Sequence, residues 1–175
     1  MRLTLALLAA FAGMTAAVAQ HAGQHPPAAP YAGLHKRAVK ALSDEQIGDL
    51  RAGRGMGLAL PAELNGYPGP VHVLELGEGI GLSAEQRARV EALHAAMRAE
   101  AIPLGERLIA QETDLDRLFA EKRITPANLE AATQAIGATQ AALRAAHLRY
   151  HLSTFDVLTP RQVHRYRELR RYGGG

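Results

Sequence analysis

A row of hydrophobic residues repeats every seven positions in the C-terminal half of the chain, and this repeat constrains the fold more than any other feature. The row consists of Leu129, Ile136, Leu143, Tyr150 and Val157. This spacing places all five side chains on one face of a single long helix. A companion row on the same face consists of the small residues Ala132, Thr139 and Ala146. Small side chains let a second helix approach closely, so we predict that this helix packs along a partner.

The partner is the preceding segment, from Ala84 to Phe119. Its hydrophobic residues recur at spacings of three, four and seven, as in an amphipathic helix. Pro103 should kink or break this helix near Ala101, because proline lacks the N–H that a helix needs. Thr125 and Pro126 are typical of the cap and first residue of the next helix. The sequence thus predicts an all-α fold, a long bent antiparallel helical hairpin with short flanking helices.

Composition supports this prediction and adds an expectation about assembly. Aromatic residues make up only 5% of the 175 residues, and cysteine is absent. A monomer has few large side chains to bury, so pairing with a second copy would complete a thin core. We therefore expect a homodimer that is held together by packing alone, without disulfides.

The N-terminus has the pattern of a secretory signal peptide. Arg2 precedes an apolar stretch, and Ala17-Val18-Ala19 is a small-x-small cleavage site. A membrane anchor is the alternative, but the apolar run is short for a membrane span. We predict that residues 1–19 are removed on export, that 20–41 form a disordered tail rich in His, Pro and Ala, that 42–172 form the helical domain, and that 173–175 are a flexible glycine tail.

One five-residue pattern, Leu-Ser/Thr-x-x-Gln, occurs three times. The copies are LSDEQ (42–46), LSAEQ (82–86) and LTPRQ (158–162). In each copy the hydroxyl residue is suited to cap a helix N-terminus, and the glutamine three positions later can bond back to the cap residue. The pattern therefore predicts three capping boxes and carries no catalytic group.

The second and third copies also resemble a family signature. LSAEQ and LTPRQ, which bracket a helical hairpin in an exported, cysteine-free chain, resemble the paired motifs of the LTxxQ-motif Spy/CpxP family of periplasmic chaperones and related periplasmic heavy-metal sensor and resistance proteins. The resemblance covers about Leu74 to Tyr172. It implies a periplasmic stress-response protein whose two copies form a cradle-shaped dimer that binds unfolded or envelope client proteins without turnover. The hydrophobic residues expected to contact clients are Leu108, Leu115, Leu118 and Phe119.

The histidines favour an alternative function, that of a periplasmic heavy-metal sensor or metal-buffering protein. His147 and His151 are four residues apart on the predicted long helix, so both rings project from one face and suit a shared metal ion. His72 is the candidate for a third ligand, because its apolar neighbours would dock it on the helices. The metal would be a divalent transition ion, Zn, Cu or Ni. A plain structural role, with both rings hydrogen-bonded to water or carboxylates, remains the other interpretation.

His94 and Met97 form a second, weaker pair. An imidazole and a thioether three residues apart would suit copper. Related sensors use His-x-x-x-Met, however, and this pair is one residue short. We interpret Met97 as a core residue, since it continues the hydrophobic row of Val90 and Leu93. His21 and His25 lie in the predicted tail, where they could collect metal loosely.

Other classes of function find little support. The serines at 43 and 83 are predicted caps, and no motif of a nucleophilic or zinc-dependent hydrolase occurs. The net charge of +3 comes from mixed rather than clustered charges, unlike a nucleic-acid footprint. We expect no catalysis, no required cofactor and no nucleic-acid partner. A membrane-bound regulatory protein is a possible partner of a metal sensor.

Overall fold

The computed structural model describes residues 30–172, and all the elements below lie in the compact unit that begins at Gly33. The predicted signal peptide, residues 20–29 of the predicted tail with His21 and His25, and the predicted glycine tail lie outside the described residues. Within the described range the fold is all-α and contains no strand, as predicted. None of its helices combines the length and the apolar character needed to cross a membrane. The elements are a 3-10 helix at Leu34–Lys36, α1 (Asp44–Ala52), α2 (Leu60–Glu63), α3 (Pro70–Glu75), α4 (Gly77–Ile80), α5 (Ala84–Ala120), α6 (Pro126–Phe155) and α7 (Pro160–Arg170).

Helices α5 and α6 form the predicted antiparallel hairpin. Arg149, near the end of α6, donates two hydrogen bonds of 2.7 and 3.0 Å to Glu100 in the first half of α5. Helix α5 continues through Pro103 without a break. Proline leaves the carbonyl of Ala99 without its helical partner, but both residues are exposed, so water can bind that carbonyl.

Two hydrophobic cores hold the flanking helices on the hairpin. The first core contains Leu50 of α1 and buried residues of α5 and α6. Helices α1 and α5 approach each other closely at Gly105, where a Cβ would lie 2.6 Å from the Leu50 carbonyl oxygen. Val39 is buried in this core, so part of segment 30–41 packs on the helices. The second core joins α3, α4, α5 and α7. Its buried members are Val73, Ile80, Val90 and Tyr166.

All three predicted capping boxes are present, at Ser43, Ser83 and Thr159. A fourth forms at Thr125, with Asn128 in the place of glutamine. In each box the hydroxyl accepts from a backbone N–H three residues on, and the side chain there accepts from the cap N–H. Helices α1, α5, α6 and α7 therefore begin where the sequence places their caps.

The glutamines of the second and third copies also bond to each other. Gln86 Nε2 donates to Gln162 Oε1 at 2.9 Å, and Gln162 Nε2 donates to Gln86 Oε1 at 2.8 Å. Each amide donates once more to a backbone carbonyl, that of Val157 for Gln86 and that of Gly81 for Gln162, both at 2.9 Å. This pair fastens the start of α7 to the start of α5. Gln46, in the first copy, serves only its own cap.

This difference predicts unequal costs for two chemically identical substitutions. Gln162→Ala removes the cap bond and leaves the part-buried amide of Gln86 and the carbonyl of Gly81 without their partner, so we expect it to lower the free energy of unfolding by about 2 kcal/mol. Gln46→Ala removes an exposed cap bond alone and should cost about 0.5 kcal/mol. Urea unfolding followed by circular dichroism measures both. Equal costs would contradict the structural role assigned to the glutamine pair.

Candidate functional site

A cavity between α2, α3, α5 and α6 contains the predicted metal ligands. His147 and His151 line it from α6 and His72 from α3, and its polar and sulfur-bearing lining also includes Met97 of α5, Glu63 of α2 and Met56. The structure therefore brings together the three histidines that the sequence singled out, although 75 residues separate His72 from His147 along the chain.

His147 and His151 are both buried, with 2% and 7% of their surfaces exposed. They lie on the same face of α6, as their spacing predicted. The Nε2 atom of His147 is buried and has no hydrogen-bond partner. Burial, followed by the nearby His151, lowers the pKa of His147, so its ring is neutral at pH 7 and keeps a lone pair available for a ligand. A buried nitrogen with no partner is costly unless something binds it.

Local bonds orient the second ring. His151 Nδ1 lies 2.7 Å from the carbonyl oxygen of Tyr67. A carbonyl only accepts, so Nδ1 carries the proton and Nε2 the lone pair. That edge of the ring packs on Gly69, where a Cβ would lie 2.8 Å from both Nε2 and Cε1. Gly55 similarly borders His147, since a Cβ there would lie 3.5 Å from Nδ1. Bare glycine backbone thus makes room for both imidazoles.

Glu63 is the site residue that the sequence analysis missed. It is 4% exposed, and it accepts hydrogen bonds from the hydroxyl of Tyr166 and, at 3.0 Å, from the backbone N–H of Gly69. His72 Nδ1 lies 3.3 Å from one of its oxygens and His151 Nδ1 lies 3.6 Å from the other. One signal could have revealed it: Glu63 is the only charged residue in the Gly- and Pro-rich stretch 55–71.

These contacts keep the buried carboxyl ionised. Burial alone raises the pKa of Glu63, but the interactions with His72, Tyr166 and the Gly69 amide outweigh burial and bring the pKa down to about 2. Burial raises the pKa of Tyr166, which therefore stays protonated and donates. Arg170 lies 4.0 Å from Glu63 and adds a positive charge nearby. Both oxygens of Glu63 are thus engaged by the protein, and the carboxylate orients neighbouring rings.

The donors share a cavity without converging on one point. Among residues 30–172, no three His, Asp or Glu side chains approach closely enough to hold a metal ion between them. The chemistry of the donors still fits a metal, because neutral imidazole nitrogens and thioether sulfur are ligands for transition ions. Two imidazole nitrogens of the cavity, Nε2 of His147 and Nδ1 of His72, are buried without a hydrogen-bond partner, and the ring of His147 is the more deeply buried.

The other predicted residues are scattered. Leu108 is buried in the first core, Leu115 and Leu118 are half-buried, and only Phe119, which is 53% exposed, offers much surface to a client protein. His94 lies outside this cavity but lines an adjacent one, which shares His72 and Met97 with it. Burial, followed by the charge of Arg98, lowers the pKa of His94.

Comparison with known proteins identifies the family. A family model described as heavy-metal resistance matches residues 58–165, more than half of the chain and the whole helical hairpin. The chain belongs to this heavy-metal resistance family. No curated protein and no solved structure matches it. The predicted relationship is confirmed for the metal-resistance branch, and the match includes Glu63 and all three site histidines.

The engaged carboxylate predicts a distinctive acid response. The pKa of Glu63 is lowered from its ordinary value of 4.5 to about 2, so its ionised form stabilises the fold above pH 4.5 and that stability is lost as the pH falls towards 2. Over this window the wild type should lose about 3 kcal/mol more stability than Glu63→Gln, which has no proton to gain. Urea unfolding at several pH values measures the difference.

A matched control is Glu91→Gln, at an exposed position of α5. Its stability should follow that of the wild type across the same pH range. If the profiles of wild type and Glu63→Gln were parallel, the carboxylate would not hold the charge that its contacts imply.

Proposed function

We propose that this protein binds a heavy-metal ion in the periplasm, as a sensing or buffering component of metal resistance. The observation that carries the proposal is the buried Nε2 of His147, which has no partner and lies in a cavity that also contains His72, His151 and Met97. Membership of the heavy-metal resistance family supports the same function. The predicted signal peptide supports the periplasmic location.

His147 would be the anchoring ligand, with His151 and His72 as the partners that the sequence predicts. The bound ion would supply a positive charge that neutral imidazoles lack. His151 is oriented by the Tyr67 carbonyl, so its Nε2 carries the lone pair. His72 is only half-buried, and its side chain has freedom to turn towards an ion. Glu63 would position these rings through its contacts with His72 and His151, rather than bind directly.

The proposed role is binding without turnover. A sensor of this kind passes its state to another protein, so we also propose a membrane-bound regulatory partner. Dimerisation, expected from the resemblance and from the thin core, would present two sites to that partner. No required cofactor and no nucleic-acid partner belong to this proposal.

The proposal predicts stoichiometric metal binding that depends on His147. Titration of the purified chain with Zn(II), Ni(II), Cu(II) and Ag(I), each alone and followed by calorimetry, should detect one ion per chain for at least one metal. His147→Gln should weaken that binding by on the order of 100-fold, because it removes the most deeply buried unpaired imidazole nitrogen of the cavity.

His164→Gln is the matched control, since this ring is 76% exposed and contacts only Glu168 of its own helix. It should bind as the wild type does. Absence of stoichiometric binding for every metal would overturn the proposed function, and equal losses in the two variants would remove His147 from it.

A second candidate function is chaperone-like client binding. Hydrophobic side chains are exposed on α2, on the loop that follows it and at the end of α6. Leu64 and Leu152 are each 54% exposed, and the rings of Tyr67 and Phe155 contact each other in a tilted arrangement with centroids 4.8 Å apart. Weakly binding apolar surface of this kind suits unfolded segments of many proteins.

If client binding occurs, it should depend on this exposed patch. The double variant Leu64→Gln/Leu152→Gln should protect a reduced, aggregating client less well than the wild type in a light-scattering assay. Phe119→Gln, at the opposite end of the hairpin and similarly exposed, tests the position predicted from sequence. Failure of the wild type to protect several unrelated clients would exclude this function.

A further inference from the structure

Methionine is concentrated at the candidate metal cavity. The chain has four methionines, and two of them, Met1 and Met14, lie within the predicted signal peptide. The remaining two, Met56 and Met97, both line the cavity that contains His147. Every thioether outside the predicted signal peptide therefore belongs to a residue that lines the same cavity as His147.

The two thioethers differ in burial. Met97 projects from α5 and is 6% exposed, whereas Met56 lies in the loop after α1 and is 40% exposed. Met97 of α5 and His147 of α6 are thus two buried residues that line one cavity from the two helices of the hairpin. Met56 sits at the solvent side, where an ion would enter. A methionine that only filled the core would not need a second one at its opening.

The oxygen and nitrogen donors are less available. Both oxygens of Glu63 are engaged by the protein, and the free edge of His151 is packed on Gly69. No three His, Asp or Glu side chains of the described residues converge. Zn(II) is generally held by four ligands of nitrogen, oxygen or thiolate type. The cavity provides too few converging donors of that kind.

A soft monovalent ion has different needs. Thioether sulfur selects soft ions such as Cu(I), and such ions accept two or three ligands in place of four to six. One imidazole and one or two thioethers satisfy that requirement. The cavity wall is otherwise largely hydrophobic, and its members include Ala59, Leu60, Pro70 and Val71. Such a wall disfavours a doubly charged ion more than a singly charged one.

We propose that the ion recognised at this site is Cu(I) or Ag(I), held by His147 Nε2 and the sulfur of Met97, with Met56 as a third ligand at the entrance. In this ligand set the two thioethers take the places of His151 and His72. This assignment rests on the proposed metal-binding function and names the class of metal. It also makes Met97 a metal ligand, whereas the sequence analysis interpreted this residue as part of the core. The partner of Met97 is then His147 across the hairpin rather than His94 on its own helix.

The test compares soft and borderline ions on the same chain. The full mature chain is titrated with Ag(I), and under anaerobic reducing conditions with Cu(I) in competition with a chromogenic Cu(I) chelator. Zn(II) and Ni(II) are titrated in parallel. We expect Cu(I) and Ag(I) to bind at one per chain and at least about 100-fold more tightly than Zn(II) or Ni(II).

Three variants locate the ligands. Met97→Leu keeps the side-chain volume and should keep the melting temperature within a few degrees, yet weaken Cu(I) and Ag(I) binding by on the order of 100-fold. Met56→Leu should weaken it less, by about 10-fold, because this thioether is the more exposed third ligand. His94→Gln should leave binding within about twofold of the wild type, since the site does not use that ring.

The outcomes separate this inference from the proposed function. Tight binding of Zn(II) or Ni(II) with weak binding of Cu(I) and Ag(I) would overturn the soft-metal assignment and leave metal binding intact. Unchanged Cu(I) affinity in a folded Met97→Leu, or a tenfold loss in His94→Gln, would overturn the ligand set. Failure to bind any metal would overturn both.

Discussion

The site depends on one buried charge, the carboxylate of Glu63. Leaving it in a protein interior without partners would be prohibitively costly, so the fold surrounds it with Tyr166, the Gly69 amide, His72 and Arg170. Those partners come from α3, α7 and the loop between α2 and α3. Because all these partners contact the single carboxylate of Glu63, they hold the short helices together on the hairpin. The same carboxylate lies next to His72 and His151, and both of these histidines line the cavity that contains His147.

The cavity lies where the short helices α2 and α3 pack on the hairpin, rather than on the surface of one helix. Helix α7 touches the cavity through Tyr166 and Glu63, and it is fastened to α5 through the pair Gln86–Gln162. An ion bound beside Glu63 would alter the charge balance at the contact that holds α7. Under the proposed function, metal occupancy would therefore be coupled to the position of α7.

The repeated motif has a structural explanation. Three copies cap three helices, but only LSAEQ and LTPRQ place their glutamines against each other. The motif comes as a pair across the hairpin because each amide completes the hydrogen bonds of the other. LSDEQ lacks such a partner and remains a simple cap. The glutamines of LSAEQ and LTPRQ therefore have two structural roles: each caps its own helix, and each bonds to the other.

The sequence by itself determined helices α1, α5, α6 and α7, their starting points and the shared face of His147 and His151, because capping and periodicity act over a few residues along one helix. It also made His72 a candidate third ligand, and the structure places this residue in the same cavity as His147 and His151. Only the tertiary structure decided that Glu63 is a buried residue bonded to several segments, that Met97 lines the same cavity as His147, and that Leu108 is core rather than surface. These facts depend on which faces of distant segments meet, and a pattern read along one chain does not contain that information.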